Sequence, residues 1–401
     1  MPRLFQLCRH YFQLWRRHPG FGRVLIRYGL ARICGRGVLV FFLPFWGQYP
    51  FLAGLMRKAK PERQLLVLFA VDLAHPTRIR EGLLEEGFSA EGIFHFELLP
   101  LLPGCDVFLS ATQWIYYWPR RNQRLVCIFH GLPTKGNTFR PELIERFTDL
   151  FFIGPSHRRL FERTYLSAHA ESALKLHEVG YPKLDDLLSG RCDAIGFRSR
   201  WRIPQDMPVV LYAPAFDEGT SLREYGLRVI EELLELPAMI LVKLHPMLLG
   251  SPGEWEATGG VDWKTELEKL EDQPNFRHLT EPDLTPALAA AQVMVTDVSG
   301  AALEFMLTGK AVVFLDCPRF FDEYLPRAYG IDGQSARNDP LFNAGRHLGV
   351  VAADLAQMKQ EVRKLLEKNS PAVSVKPEDV LYHPGRATEE AWRLILEFLS
   401  E

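Results

Sequence analysis

Short runs of uninterrupted apolar residues recur along the chain, and each gives way to a polar or Gly/Pro-rich turn. "QLLVLFAVD" (64–72), "CDVFLSA" (105–111), "RLVCIFH" (124–130) and "DLFFIGPS" (149–156) are such runs. Segments with helical spacing, "PTRIREGLLEEG" (76–87) and "RPELIERF" (140–147), lie between them. Strands apolar on both faces belong to parallel sheets covered by helices on either side, and the alternation with helices predicts a doubly wound α/β domain. Near Gly190 the pattern starts again, with strands expected in "PVVLYAPAF" (208–216), "AMILVKLHP" (238–246), "FRHLT" (276–280), "AQVMVTDVSG" (291–300) and "AVVFLDCP" (311–318). Helices are expected over 221–236, 300–309 and 387–400, the last packing back on the first half. The expected division is a basic segment 1–61, a first Rossmann-like domain 62–188, a second 189–382, and a C-terminal helix within 383–401.

The amino end breaks this texture. Residues 1–61 hold eleven Lys or Arg and no Asp or Glu, the first acid being Glu62, although the whole chain is at net −2. "LFQLCRHYFQLW" (4–15) places Leu4, Leu7, Tyr11, Leu14 and Trp15 near helical spacing among basic residues. "VLVFFLPFWGQYPFLAGLM" (38–56) carries no charge, and Pro44, Gly47 and Pro50 break it. These features predict a basic amphipathic segment lying on an anionic membrane surface, with 38–56 a bent immersed stretch rather than a spanning helix. No RNA-binding module pattern accompanies the charge, so nucleic acid is not expected as a partner.

Composition adds bounds. The chain has 401 residues, 47% hydrophobic and 24% charged, enough for two core-bearing domains. Six cysteines form no CxxC pair and read as reduced packing residues in a cytosolic setting. No His/Cys/Glu cluster shows metal-ligand spacing, so no metal or cofactor is expected.

Two doubly wound domains in tandem leave a cleft at the carboxyl ends of their strands, where ligands bind. Several candidates collect there. His130 ends the strand "RLVCIF", with Pro133 stiffening the turn and Lys135 beside it; a histidine there can take a proton from a hydroxyl. His245 ends "AMILVKL" and is a candidate donor to a phosphate oxygen. "TDVSGAALE" passes from strand to helix: Ser299 suits an N-cap, and Gly300 and Ala301 offer backbone amides to an anion. Asp297 precedes them, and Glu304 can reach a sugar diol. Pro214 sits at the tip of the second half's first strand, where a nucleobase or phosphate lies in such folds. In "GYPKLDDLL" (180–188), Lys183 and Asp185 can face the cleft from the acceptor side. Neither GxGxxG nor GxxxxGK[ST] occurs.

These stretches together resemble the CDP-glycerol glycerophosphotransferase family, the teichoic-acid primases and polymerases. "HGLPTK" is similar to its HGTPxK element, "GYPKLD" to G-x-P-[RK]-x-D, and "LYAPAF" to YAPT[WF]. "KLHP" and "TDVSGAALEF" match its KxHP and [ST]D-x-S-S elements, in order, over about 125–320. The resemblance implies a GT-B-type pair of Rossmann domains and transfer of glycerol phosphate from CDP-glycerol to a hydroxyl, releasing CMP. It implies a lipid-linked or polysaccharide acceptor and work at the cytoplasmic face of the membrane, as a peripheral protein. By the same resemblance His130 is the general base, His245, Ser299 and the amides at Gly300 hold the diphosphate, and Glu304 holds the ribose. Leu132 stands where the family has Thr, Gly300 replaces its second Ser, and "AFDEG" lacks an arginine. CDP-ribitol or a sugar nucleotide therefore stays open as donor, as does a glycosyltransferase or sugar-nucleotide epimerase of the same architecture.

Overall fold

The computed structural model describes residues 2–73, 78–115, 117, 122–132, 139–169, 171–253, 255–368 and 375–401. The first half is built on strands β1 (Gly37–Leu43), β2 (Leu65–Val71), β3 (Ile93–His95), β4 (Val107–Ser110), β5 (Arg124–Cys127), β6 (Asp149–Phe152) and β7 (Lys175–Glu178). They form one parallel sheet in the order β3-β2-β1-β4-β5-β6-β7. The second half holds β8 (Val209–Tyr212), β9 (Met239–Val242), β10 (Phe276–His278), β11 (Val293–Thr296), β12 (Ala311–Leu315) and β13 (Val350–Ala352). Their order is β10-β9-β8-β11-β12-β13, again all parallel. Each sheet reverses winding direction once, between β1 and β4 and between β8 and β11. Those two switch points are where an open α/β sheet leaves a crevice.

The uncharged run at 38–56 is not an immersed membrane stretch. Its first part is β1, the strand at the switch point of the first sheet, hydrogen-bonded to both β2 and β4. Its last part opens helix α3 (Tyr49–Ala59), which carries Leu52, Leu55 and Met56 into the core. β1 buries residues on both faces. Leu39, Phe41 and Leu43 pack with α3 and with Trp392, Ile395 and Phe398 of the C-terminal helix Ala387–Ser400. Val38, Val40 and Phe42 pack with Phe21 and Val24. A central parallel strand followed by a largely buried helix reads in sequence like an immersed segment, because neither keeps a polar face. The boundary at 61 therefore cuts through the first sheet.

Ahead of β1 lie α1 (Pro2–Arg17) and α2 (Phe21–Ile33), the latter docked on β1, β2 and β3. Acids of the body answer part of the amino-terminal charge. Arg32 grips both oxygens of Asp106 at 2.8 and 2.9 Å, Arg57 reaches Asp186 at 3.2 Å, and Lys58 reaches Glu389 at 3.4 Å. Among the described residues no helix is long and apolar enough to cross a membrane.

Other expectations shift in detail. The helix expected over 221–236 is two, Ser221–Tyr225 and Arg228–Leu234, parted by Gly226 at φ +61°. β3, β7 and β13 carry no strong apolar run: two have only three residues, and β7 ("KLHE") is a half-exposed sheet edge. Gly180 sits where the carboxyl-terminal segment returns past the first sheet. Its φ is +101°, and a Cβ there would lie 2.1 Å from the Tyr382 carbonyl, so only glycine fits.

Candidate active site

The two halves meet beyond their strand ends, where Gly47, beyond β1, lies against Pro246, beyond β9. His130 stands on the first wall. The residue before it, Phe129, has φ +57°, a left-handed conformation that costs a bulky residue of order 1–3 kcal/mol. Packing holds it there: the Phe129 ring contacts Phe139, Phe152 and His157 at centroid distances of 5.7, 5.9 and 4.5 Å. This kink sends the His130 ring toward β4, where Nδ1 lies 2.7 Å from the Ala111 carbonyl oxygen. A carbonyl can only accept, so Nδ1 carries the proton and Nε2 keeps its lone pair. Protein mass around the cleft floor lowers the ring's pKa from 6.5, outweighing the Ala111 hydrogen bond that raises it. At neutral pH His130 is thus a neutral imidazole with a fixed tautomer and a basic nitrogen, while its ring stays open to the cleft.

His245 is held in the opposite tautomer. The Met247 backbone N–H donates to its Nδ1 at 3.2 Å, so the neutral ring carries its proton on Nε2. The Phe216 ring lies 4.4 Å away, and His245 is exposed at the end of β9. One strand-end histidine is therefore arranged to accept a proton and the other to donate a hydrogen bond. Lys243, two residues earlier, gives its ammonium to the Glu281 carbonyl at 2.6 Å, and burial lowers its pKa to about 8.

The loop after β11 is built around Asp297, which is fully buried. Its Oδ1 accepts from the N–H groups of Ala215 (2.8 Å) and Val298 (2.6 Å), and its Oδ2 from the N–H (3.0 Å) and hydroxyl (2.6 Å) of Ser221. Both oxygens are committed, so Asp297 is not a donor-binding group as expected. It ties the tips of β8 and β11 to helix Ser221–Tyr225. Pro214 is likewise buried at the β8 tip. Arg346, which nothing in the sequence singles out, braces this loop from behind through the carbonyls of Asp297 (3.4 Å) and Leu315 (2.9 Å). What stays half open is Ser299, Gly300 and Ala301. Gly300, rather than Ser299, occupies the cap position of the six-residue helix Ala301–Met306, and the Ser299 hydroxyl accepts weakly from Ala301 N–H at 3.4 Å.

Glu304 is buried, and both of its oxygens are engaged from the first half of the chain. The Lys183 ammonium donates to Oε2 at 2.6 Å and the Tyr181 hydroxyl to Oε1 at 3.1 Å. The pair is dry, with side chains 7% and 6% exposed. Lys183 also sits 5.3 Å from the Phe51 ring, which faces Tyr181 at 6.3 Å and His130 at 5.9 Å. Lys183 is therefore a clasp between the halves rather than an acceptor-side residue. Phe51 and Tyr181, which the motifs did not single out, connect the clasp to the base.

Asp185 turns to the C-terminal helix and not to the acceptor side of the cleft. Its carboxylate accepts from the backbone N–H of Ala387 (3.0 Å) and Thr388 (2.7 Å), capping the C-terminal helix. Burial raises its pKa against those hydrogen bonds. Leu132 is a core residue, 7% exposed, so its departure from the motif concerns packing. Lys135 lies outside the described residues. Among the described residues no group of three or more His, Cys, Asp or Glu stands close enough to hold a metal ion.

Comparison with known proteins gives this geometry a context. A teichoic acid glycerol-phosphate primase of Bacillus spizizenii is 22% identical over 170 residues, 41% of this chain and 39% of that protein. A teichoic acid glycerol-phosphate transferase of Staphylococcus aureus is 23% identical over 260 residues, 57% of this chain and 61% of that protein. The chain thus spans less than two thirds of the length of either relative. Among solved structures, the wall teichoic acid polymerase TagF, in a variant soaked with CDPG, superposes with a TM-score of 0.61 at 14% identity, over 100% of this chain and 98% of that one. A UDP-GlcNAc 2-epimerase from Neisseria meningitidis bound to UDP-GlcNAc gives 0.53 at 13% identity, over 90% and 100%. Both share the two-domain fold at identities too low to carry chemistry. The model of the CDP-glycerol:poly(glycerophosphate) glycerophosphotransferases matches residues 98–317, more than half of the chain and the whole stretch from His130 to Glu304, and the chain belongs to that family.

Proposed function

We propose that this protein transfers glycerol phosphate from CDP-glycerol to a hydroxyl of a growing cell-wall polymer and releases CMP. The observation that carries this reading is the tautomer of His130, whose Nδ1–H is spent on Ala111 and whose Nε2 is left basic at a strand end. The acceptor oxygen attacks the phosphorus that bears glycerol. The acceptor's proton passes to His130 Nε2, and the phosphoanhydride bond breaks with its electron pair leaving on CMP. Such transfers need positioning and charge neutralisation more than covalent help. Nε2–H of His245, the Ser299 hydroxyl and the amides of Gly300 and Ala301 are the donors for the diphosphate, and the reading calls on no metal or cofactor. A carboxylate offers about four acceptor sites. Glu304, clasped at two of them, keeps capacity for a ribose diol.

The same reading extends to a lipid-linked acceptor and to work at the cytoplasmic membrane face. In its favour, α1 and α2 leave Phe12, Trp15, Ile26, Leu30 and Ile33 exposed beside Arg16, Arg17 and Arg23. The test of the chemistry is CMP release from CDP-glycerol by His130→Ala. The expected loss is about 10²–10⁴-fold, the usual worth of a general base, with an unchanged circular dichroism spectrum. Undiminished release by the folded variant would sink the assignment.

A further inference from the structure

At the far end of the first sheet from the cleft lies a cavity of about 240 Å³, between α2, the end of α3 and the turn at Gly87–Ser89. Four cations line it: Arg27, Arg36, Lys60 and Arg63. Among the described residues one acid, Glu62, shares the wall, and a second, Glu91, lies beside Arg27. The Lys60 ammonium donates to the Glu86 carbonyl at 2.7 Å and lies 5.6 Å from the Phe88 ring centroid. Arg27 reaches the Ser89 hydroxyl at 3.3 Å and lies 3.8 Å from Glu91. Arg36 gives one N–H to the Leu65 carbonyl, while its Nε is buried with no hydrogen-bond partner among the described residues. A Cβ on Gly87 would come within 2.7 Å of the Lys60 ammonium, so the glycine keeps this wall open. Val67, Phe69 and Phe88 make the rest apolar.

A cavity with cationic donors on one side and aromatic and aliphatic walls on the other matches a phosphate carried on an apolar body. We propose that it binds the phosphate headgroup of an anionic membrane lipid. Arg27 comes from the helix that exposes Ile26, Leu30 and Ile33, so a lipid held here lies beside the face assigned above to the membrane; the inference rests on that assignment. The headgroup would order the docked protein on the bilayer, away from the reacting atoms and independent of the donor site.

The probe is dihexanoyl phosphatidic acid, kept below its micelle concentration and followed by phosphorus NMR against the full chain. The expected result is binding about tenfold tighter than that of inorganic phosphate, the worth of burying roughly two methylenes. Lys60→Gln/Arg63→Gln should weaken it about 30-fold, near fivefold for each charge removed. This pair of substitutions spares the buried Arg36, and its fold is checked by melting. Inorganic phosphate competing on equal terms would overturn the lipid assignment, as would a variant that binds like the parent. A parallel arm sediments the chain with phosphatidylglycerol vesicles. Sedimentation without soluble-probe binding would overturn this inference and leave the membrane reading standing. Probe binding without sedimentation would remove the membrane reading, and the lipid assignment with it.

Discussion

The Lys183–Glu304 clasp is the feature whose energetics the structure constrains most closely. Lys183→Met keeps the length of the side chain and its contact with Phe51 but leaves the Glu304 carboxylate with the Tyr181 hydroxyl as its one remaining partner in the clasp. Removing one member of a buried ion pair costs about 3–5 kcal/mol, because the survivor is an uncompensated charge away from water. With the side chains 7% and 6% exposed, the lower end, about 3 kcal/mol, is expected. Glu304→Gln in the same background restores neutrality and keeps an oxygen for Tyr181, so the double variant should lose only about 1 kcal/mol. The coupling from the double-mutant cycle is then about 2 kcal/mol or more. Urea unfolding reads it: with a slope near 3 kcal/mol per molar, the single substitution lowers the midpoint by about 1 M. A cycle that closes additively, with each single change below about 0.5 kcal/mol, would place the pair among ordinary surface ion pairs and refute the reasoning.

Two further outcomes follow from other buried groups. Burial pulls the pKa of His157 down to about 3 among Phe129, Phe139 and Phe152. Its folded pKa is below the unfolded 6.5, so its contribution is complete above about pH 6.5 and is lost as pH falls toward 3. At pH 5 the loss is about 2 kcal/mol, and His157→Gln should flatten the fall in urea midpoint between pH 7 and pH 5 by that amount; parallel curves would contradict it. Asp185→Ala removes the cap from the C-terminal helix, costing about 1–2 kcal/mol and speeding hydrogen exchange at Ala387 and Thr388. The acceptor KM should not change; a raised KM with unchanged exchange would return Asp185 to the acceptor side.

The site is more legible in this sequence than its supports. His130 and His245 are visible because a polar ring ending an apolar parallel strand has few packing reasons to be there. Phe51 is not visible, because an aromatic in an apolar run looks the same whether it fills a core or lines a cleft, and Tyr181 is hidden in a turn motif whose Lys and Asp draw the chemical reading. Asp297 and Asp185 misled for a related reason. A carboxylate beside a motif reads as chemistry, and only its hydrogen-bond partners, contributed by Ala215, Ser221 and the C-terminal helix, show that it is structural.

The periodicity of apolar runs by itself determined the α/β class, the two parallel sheets and the strand-end positions of the histidines, since these depend on local pattern alone. Tertiary structure decided three things that local pattern cannot carry. It made 38–56 a central strand and a buried helix instead of a membrane stretch, because the strand's partners β2 and β4 lie 20 or more residues away in sequence. It fixed the opposite tautomers of His130 and His245, because each follows from a backbone group that the fold places against Nδ1. And it closed Lys183 on Glu304, 121 residues apart, because two halves that read as independent domains bury their charges against each other.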